Sequence, residues 1–220
     1  LRRESYADPT ELRADLVTLA QGLASEGEGA LATGGRLGRL IRAVETFGFH
    51  LATLDMRQNS AVHERVIAEL LKDAGVEADY AALSEEARVT LLRRELATNR
   101  PLASRHRSYS EEAASELEIL EAAAESHRIY GAQCITQYII SKAESISDML
   151  EVAVLLKEVG LWRAGTDGAP PTCAVMPVPL FETVADLEAA PSIMRALFAL
   201  PEIGAVARAR GHQEVMIGYS

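Results

Sequence analysis

The sequence predicts an α/β protein in which about four parallel strands form part of a (β/α)8, TIM-type barrel with extensive additional helices. Four short runs rich in β-branched and aromatic residues carry that expectation, at 47–57, 134–141, 173–178 and 214–220. Such residues suit the pleated, half-buried surface of a strand. Stretches of helical periodicity separate the runs, and strands joined by crossovers of that kind lie parallel in one sheet. Polar groups stand at or just past three strand ends: Arg57, the Ser141–Lys142 pair and Glu182. In parallel α/β folds that C-terminal rim is where ligands bind. An open sheet is the alternative to the barrel. Residues 1–220 read as a single partial domain, with a helical insertion at about 60–130.

In chain order, Asp8-Pro9-Thr10-Glu11 opens the first helix, with an acid at the cap and proline just inside it. Leu12, Leu16, Leu19 and Leu23 follow at helical spacing, up to the glycines at 27 and 29. A second helical pattern runs through Leu37, Leu40, Ile41 and Val44. The first strand, from Phe47, feeds the polar end Arg57-Gln58-Asn59-Ser60, where Asn59 or Ser60 caps a helix from Val62 to Leu71. Ser84-Glu85-Glu86 and Ser110-Glu111-Glu112 are further helix starts, with acids where the macrodipole favours them. Asn99-Arg100-Pro101 breaks the helix ending at Ala97, and Leu117, Ile119, Leu120 and Ile129 give the next helix an apolar face.

The second strand, Cys134 to Ser141, precedes a helix that Ser147-Asp148 starts and Gly160 ends. Trp162 to Thr172, with two glycines and Pro170-Pro171, reads as a loop. The third strand is expected to stop at Pro177 and Pro179, because each proline removes a backbone donor and fixes φ. A helix opens at Thr183, while Pro191 and Pro201 sit where new helices begin. The fourth strand, from Glu214, ends at Ser220.

Composition narrows the function classes. Apolar residues at 48% and charged residues at 25% are ordinary for a globular domain. The net charge of −10 argues against a nucleic-acid partner, whose binders carry basic surfaces. No apolar run approaches the ~20 residues of a membrane span, so no membrane partner is expected. No signal peptide follows Leu1-Arg2-Arg3-Glu4. Cys134 and Cys173 stand alone in apolar runs and read as buried thiols in a reducing compartment, the cytoplasm. The missing initiator Met points to an internal segment of a longer protein.

Among the polar groups, Arg57 suits a phosphate or carboxylate, since its guanidinium donates two parallel hydrogen bonds and stays charged. A rim ion pair with Asp55 or another acid is the alternative. Glu182 suits a hard cation such as Mg²⁺, which takes one or two carboxylates plus water. The alternative there is an ordinary acid at a helix start. Histidines 50, 63, 106, 127 and 212 lack zinc-type spacing and read as structural or surface residues. No Walker A or Gly-x-Gly-x-x-Gly pattern is present. Arg2-Arg3 and Arg93-Arg94 read as solvated pairs, and Met149 and Met194 as core.

Four segments, in order, resemble phosphoenolpyruvate carboxylase. They are Phe47 to Gln58, Tyr138 to Ser141 with Ser147 to Val152, Pro179 to Thr183, and Val215 to Ser220. The resemblance covers essentially the whole chain; any one motif is weak, but four in sequence are specific. It implies a helix-surrounded (β/α)8 barrel in a bacterial lyase that forms oxaloacetate and phosphate from phosphoenolpyruvate and bicarbonate. It also implies Mg²⁺ or Mn²⁺ as cofactor and a homo-oligomeric parent, a tetramer. The arginine of Leu-Asp-x-Arg-Gln binds the substrate phosphate in that family, which implies this role for Arg57. The glutamate of Pro-Leu-Phe-Glu-Thr is a metal ligand, which implies that role for Glu182. The family's second metal ligand, its catalytic lysine and its catalytic histidine lie outside these 220 residues, so no catalytic residue is expected within them. The segment alone is therefore expected to be inactive, and oxaloacetate formation by the purified 220 residues would overturn that. Lys142 stands where the family has methionine. A non-catalytic anion-binding or structural module derived from the same barrel is the other reading.

Overall fold

Capping residues written into the sequence start most of the helices. The computed structural model describes residues 5–166 and 168–218, the side chains of 31–33 excepted. They divide into two units, 5–54 with 126–134, and 55–125 with 135–218.

In the first unit, α1 (Pro9–Ser25) begins where Asp8 accepts from the N–H groups of Thr10 (2.7 Å) and Glu11 (2.9 Å). Two of the orphan donors at the helix start are thereby satisfied. After α2 (Gly29–Gly34), α3 (Arg36–Phe47) is tied to α1 by Arg13 Nε donating to Glu45 at 2.7 Å. The strand expected from Phe47 is not there, because Phe47 is the last residue of α3. Gly48 and Leu51 both have positive φ, 51° and 66°, so the chain turns before it can extend. The strand, β1 (Leu54–Asn59), starts only after that turn.

In the second unit, Asn59 caps α4 (Ser60–Asp73), Ser84 caps α5 (Glu85–Leu96) and Ser110 accepts from Ala113 N in α6 (Glu111–Tyr130). After β2 (Ile135–Ser141), α7 (Ile146–Glu158) starts slightly earlier than expected. Ser145 and Asp148 form a reciprocal capping box, while Ser147 bonds Glu85 of α5 instead. The expected loop after α7 contains a two-residue antiparallel pair, β3 (Trp162–Arg163) with β4 (Thr172–Cys173). Next come β5 (Met176–Phe181) and α8 (Val184–Ala199), the latter opened by a Thr183–Asp186 capping box. Pro191 lies inside α8 rather than at a helix start, and the carbonyl it leaves unpaired, four residues back at Leu187, is on an exposed stretch. Pro201 does open a helix, α9 (Pro201–Arg210), which Gly211 closes at φ 83°. Only Met216–Ile217 of the expected fourth strand form β6; Tyr219 and Ser220 lie outside the described residues, as does the Arg2-Arg3 pair. Arg93 is not simply solvated, since it donates to Glu202 of α9 through Nε (2.5 Å) and Nη2 (3.2 Å).

The four longer-range strands form one sheet in the order β1-β2-β5-β6, and the β2–β5 and β5–β6 pairs are parallel. Contrary to expectation, β5 runs straight through Pro177 and Pro179. The carbonyls of Phe181 and Pro177 accept from Gly218 N (2.9 Å) and Gln213 Nε2 (2.8 Å), on the β6 side. Strand groups alternate sides with a period of two, so both prolines turn their missing donors toward β6. That strand pairs only from Leu180 onward, so the ladder to β2 loses nothing.

Alternation also makes both faces of the sheet apolar. Met56, Tyr138 and Ile140 join the main core with α4, α5, α6 and α7, ten of whose thirteen residues are buried. Ile139, Met176, Val178 and Leu180 form a second buried cluster on the opposite face. A sheet covered on both faces is what parallel architectures require. Of the cysteines, Cys134 is buried; Cys173 is half-buried, its thiol donates to the Val175 carbonyl, and burial pushes it up to about 11. Met149 is buried in the core and Met194 packs against it. No single described helix is long and apolar enough to cross a membrane; α8 and α9 pass that test only as a pair bent by 96°.

Candidate active-site rim

Residue alternation decides which side chains of β1 can act. Met56 faces the helical core, so Arg57 faces the other side of the sheet and Gln58 returns to the core side. On that other face, β2 ends at Ser141 in register with Leu180 of β5. Two residues further along the same alternation lies Glu182. Three strand ends thus bring three polar groups together. Arg57 Nε donates to Ser141 Oγ at 2.9 Å, and Arg57 Nη2 lies 4.0 Å from Glu182 Oε1.

The acid that meets Arg57 is therefore Glu182, and both side chains remain accessible, at 56% and 37% exposure. A pair that open and that long contributes little to stability, about 0–1 kcal/mol. It leaves an arginine and a carboxylate side by side with most of their hydrogen-bonding capacity in reserve. Glu182 is not a helix first-turn acid: the cap is Thr183, and Glu182 contributes only its N–H, which donates to Asp186. Gly218, just past β6, packs against it. A Cβ there would lie 3.0 Å from Glu182 Cα, so glycine permits the close approach.

Beneath the rim a polar chain holds β1 in place. Gln58 Nε2 donates to Glu116 Oε1 of α6 at 2.7 Å, Tyr138 OH donates to Glu116 Oε2 at 3.4 Å, and His63 Nε2 lies 3.1 Å from Tyr138 OH. Because the Tyr138 proton goes to Glu116, His63 must donate through Nε2, which leaves Nδ1 buried without a partner. Burial lowers the His63 pKa to about 4, and burial together with Glu116 raises that of Tyr138. His63 is thus a neutral structural group. The sequence reading missed this chain, although an acid at 116 lies on the stripe Ala113, Leu120 and Ala123 that α6 buries.

A cleft of about 800 Å³ lies instead in the first unit, and its arginine, Arg13, is already bonded to Glu45. Among the described residues no three His, Cys, Asp or Glu side chains gather as a metal site. Glu182 by itself fits one place of a hard-cation shell, which needs one or two carboxylates and is completed by water and substrate oxygens. Lys142, just past Ser141, has φ 56°, and its carbonyl accepts from Ser60 Oγ at 2.7 Å. That bond and the Arg57–Ser141 bond together fasten the end of β1 to the end of β2.

A family model described as phosphoenolpyruvate carboxylase matches residues 1–220. A phosphoenolpyruvate carboxylase of Azorhizobium caulinodans is 53% identical over 216 residues, covering 98% of this chain and 23% of that protein. One from Aromatoleum aromaticum is 53% identical over 220 residues, covering 99% and 23%. One from Burkholderia mallei is 50% identical over 224 residues, covering 100% and 22%. The chain thus spans under a quarter of the length of these curated relatives.

Proposed function

The chain belongs to the phosphoenolpyruvate carboxylase family, and on that premise we propose that it supplies part of the rim at which phosphoenolpyruvate and bicarbonate become oxaloacetate and phosphate. In this reading residues 1–220 are a partial domain, one arc of a (β/α)8 barrel in a cytoplasmic homo-oligomer. Helices pack against one face of the sheet, while the buried cluster on the other face is built from strand residues of β2, β5 and β6, a pattern that favours the arc of a barrel over an open sheet with helices on both faces.

Arg57 binds the phosphoryl group of the substrate, and Glu182 holds Mg²⁺ or Mn²⁺. Transfer of the phosphoryl group to bicarbonate yields carboxyphosphate and the enolate of pyruvate. The C–O bond of carboxyphosphate then breaks to release phosphate and CO2, and the enolate carbon bonds to that CO2 to give oxaloacetate. The transfer and the C–O cleavage both concentrate negative charge on oxygen. A divalent cation, when bound, stabilises such charge without proton transfer. Arg57 orients the phosphoryl oxygens and offsets their charge as the bond to the enol oxygen breaks, an effect that is largest where water is excluded. The observation that carries the proposal is the 4.0 Å approach of Arg57 and Glu182, an anion-binding and a cation-binding group from separate strand ends meeting at one rim.

Calorimetric titration of the purified chain with Mn²⁺ and with inorganic phosphate tests it. Arg57→Ala is expected to weaken phosphate binding about tenfold or more, with Glu182→Gln doing the same for Mn²⁺. In a protein of the relatives' full length, either change is expected to suppress oxaloacetate formation. Unchanged turnover in both variants would overturn the assignment.

A further inference from the structure

We infer that Ser141 is a positioning residue for Arg57: its hydroxyl occupies the Nε edge of the guanidinium, so that Nη1 and Nη2 are what the anion meets. The inference rests on the reading of Arg57 as the phosphate-binding arginine. Arginine offers five N–H donors in a fixed plane, and which edge is used sets the direction of approach. Nε is already committed to Ser141 Oγ at 2.9 Å. That leaves the end-on pair for the ligand, on the side where Nη2 approaches Glu182.

Three features make Ser141 a fixed point. It is the last residue of β2, half-buried and in register with Leu180, so the strand ladder holds its backbone. Lys142 then turns left-handed at φ 56°, an uncommon conformation for a non-glycine residue. That turn aims the Lys142 carbonyl at Ser60 Oγ, 2.7 Å away, and locks the rim of β2 to the start of α4. A long, accessible arginine otherwise samples many rotamers, and ordering it on binding costs affinity. Ser141 therefore acts by pre-orienting Arg57 before the anion arrives.

The test uses the ¹H–¹⁵N signal of the Arg57 side-chain Nε, assigned through Arg57→Lys, together with phosphate and Mn²⁺ titrations of the purified chain. In Ser141→Ala the Nε proton is expected to exchange with water about tenfold faster or more. Phosphate affinity is expected to fall about three- to tenfold, with Mn²⁺ affinity unchanged. Ser141→Thr, which keeps the hydroxyl, is expected to restore both. An unchanged Nε signal in Ser141→Ala overturns the inference, as does equal loss of phosphate and Mn²⁺ binding, which would mark a merely structural role. If the unsubstituted chain binds no phosphate, the reading of Arg57 fails instead, and the Nε exchange rates still decide whether Ser141 holds it.

Discussion

Replacing Trp162 by Ala is expected to lower the unfolding free energy by about 3–5 kcal/mol, the usual cost of emptying a buried tryptophan site. Trp162 is 2% exposed, belongs to the main core cluster and sits just beyond the C-terminus of α7. Its ring N–H donates to the Leu96 carbonyl at the end of α5, at 3.3 Å. The side chain therefore fills part of the core and satisfies one of the orphan carbonyls at a helix end. Trp162→Phe keeps most of the apolar volume but strands that carbonyl, for an expected loss of about 1–3 kcal/mol. Urea unfolding followed by circular dichroism orders the three proteins. An alanine variant within about 0.5 kcal/mol of the parent would place Trp162 on the surface and contradict the structure.

Nothing in the sequence around Trp162 announces that role. Glycines and paired prolines dominate 165–171, and those cues rightly mark the turn. The strands on either side of it are two residues each, too short for any periodicity to show. Helix starts were far more legible, because Asp8, Ser84, Ser110 and Thr183 announce themselves through local chemistry that needs no tertiary partner. The prolines of β5 misled for the opposite reason. Whether a missing donor matters depends on which neighbour the N–H would face, and only the sheet order settles that. Gly48 to Thr53, which with Phe47 reads as strand-forming, turns instead, with positive φ at Gly48 and Leu51.

Of the polar groups singled out at three strand ends, Arg57, Ser141 and Glu182 do converge, since the alternation that buries Met56, Ile140 and Phe181 turns all three to the same face. What lies beneath them was hidden in helices. His63 shares a face with Val66, Ile67, Leu70 and Leu71, and Glu116 shares one with Ala113, Leu120 and Ala123. A polar residue on an apolar helical stripe is the sequence signal for such a buried partner, but it does not identify what the partner is. Gln58 illustrates the limit: it follows Arg57 directly, yet it points into the core and anchors the strand.

Glu151 shows the same signal in α7, among Leu150, Val152 and Val154, and it should make the fold pH-dependent. It is fully buried, with Tyr80 OH donating to Oε1 at 2.8 Å and Oε2 without a partner. Burial pushes its carboxyl from 4.5 up to about 9, with Asp148 and Glu64 adding to the rise and Tyr80 and Arg88 opposing it. The folded protein therefore keeps a proton that the unfolded chain has released, and stability falls as pH rises from about 4.5 to about 9. At pH 7 the cost is roughly 3 kcal/mol. His63 works in the other direction. Its folded value of about 4 lies below the ordinary 6.5, so its contribution is present above pH 6.5 and is lost as pH falls toward 4. The two slopes oppose each other between about 4.5 and 6.5, and above that His63 no longer opposes Glu151, while Glu158, whose carboxyl burial also raises, adds a slope of the same sign. Glu151→Gln keeps the acceptor for Tyr80 and cannot ionise. It is expected to be roughly 3 kcal/mol more stable than the parent at pH 7, with a shallower fall up to pH 9. Urea midpoints at pH 5.5, 7 and 8.5 decide the matter. A parent protein equally stable at all three would mean that Glu151 is already ionised in the fold, with Arg88, whose side chain packs over the Tyr80 ring, balancing its charge.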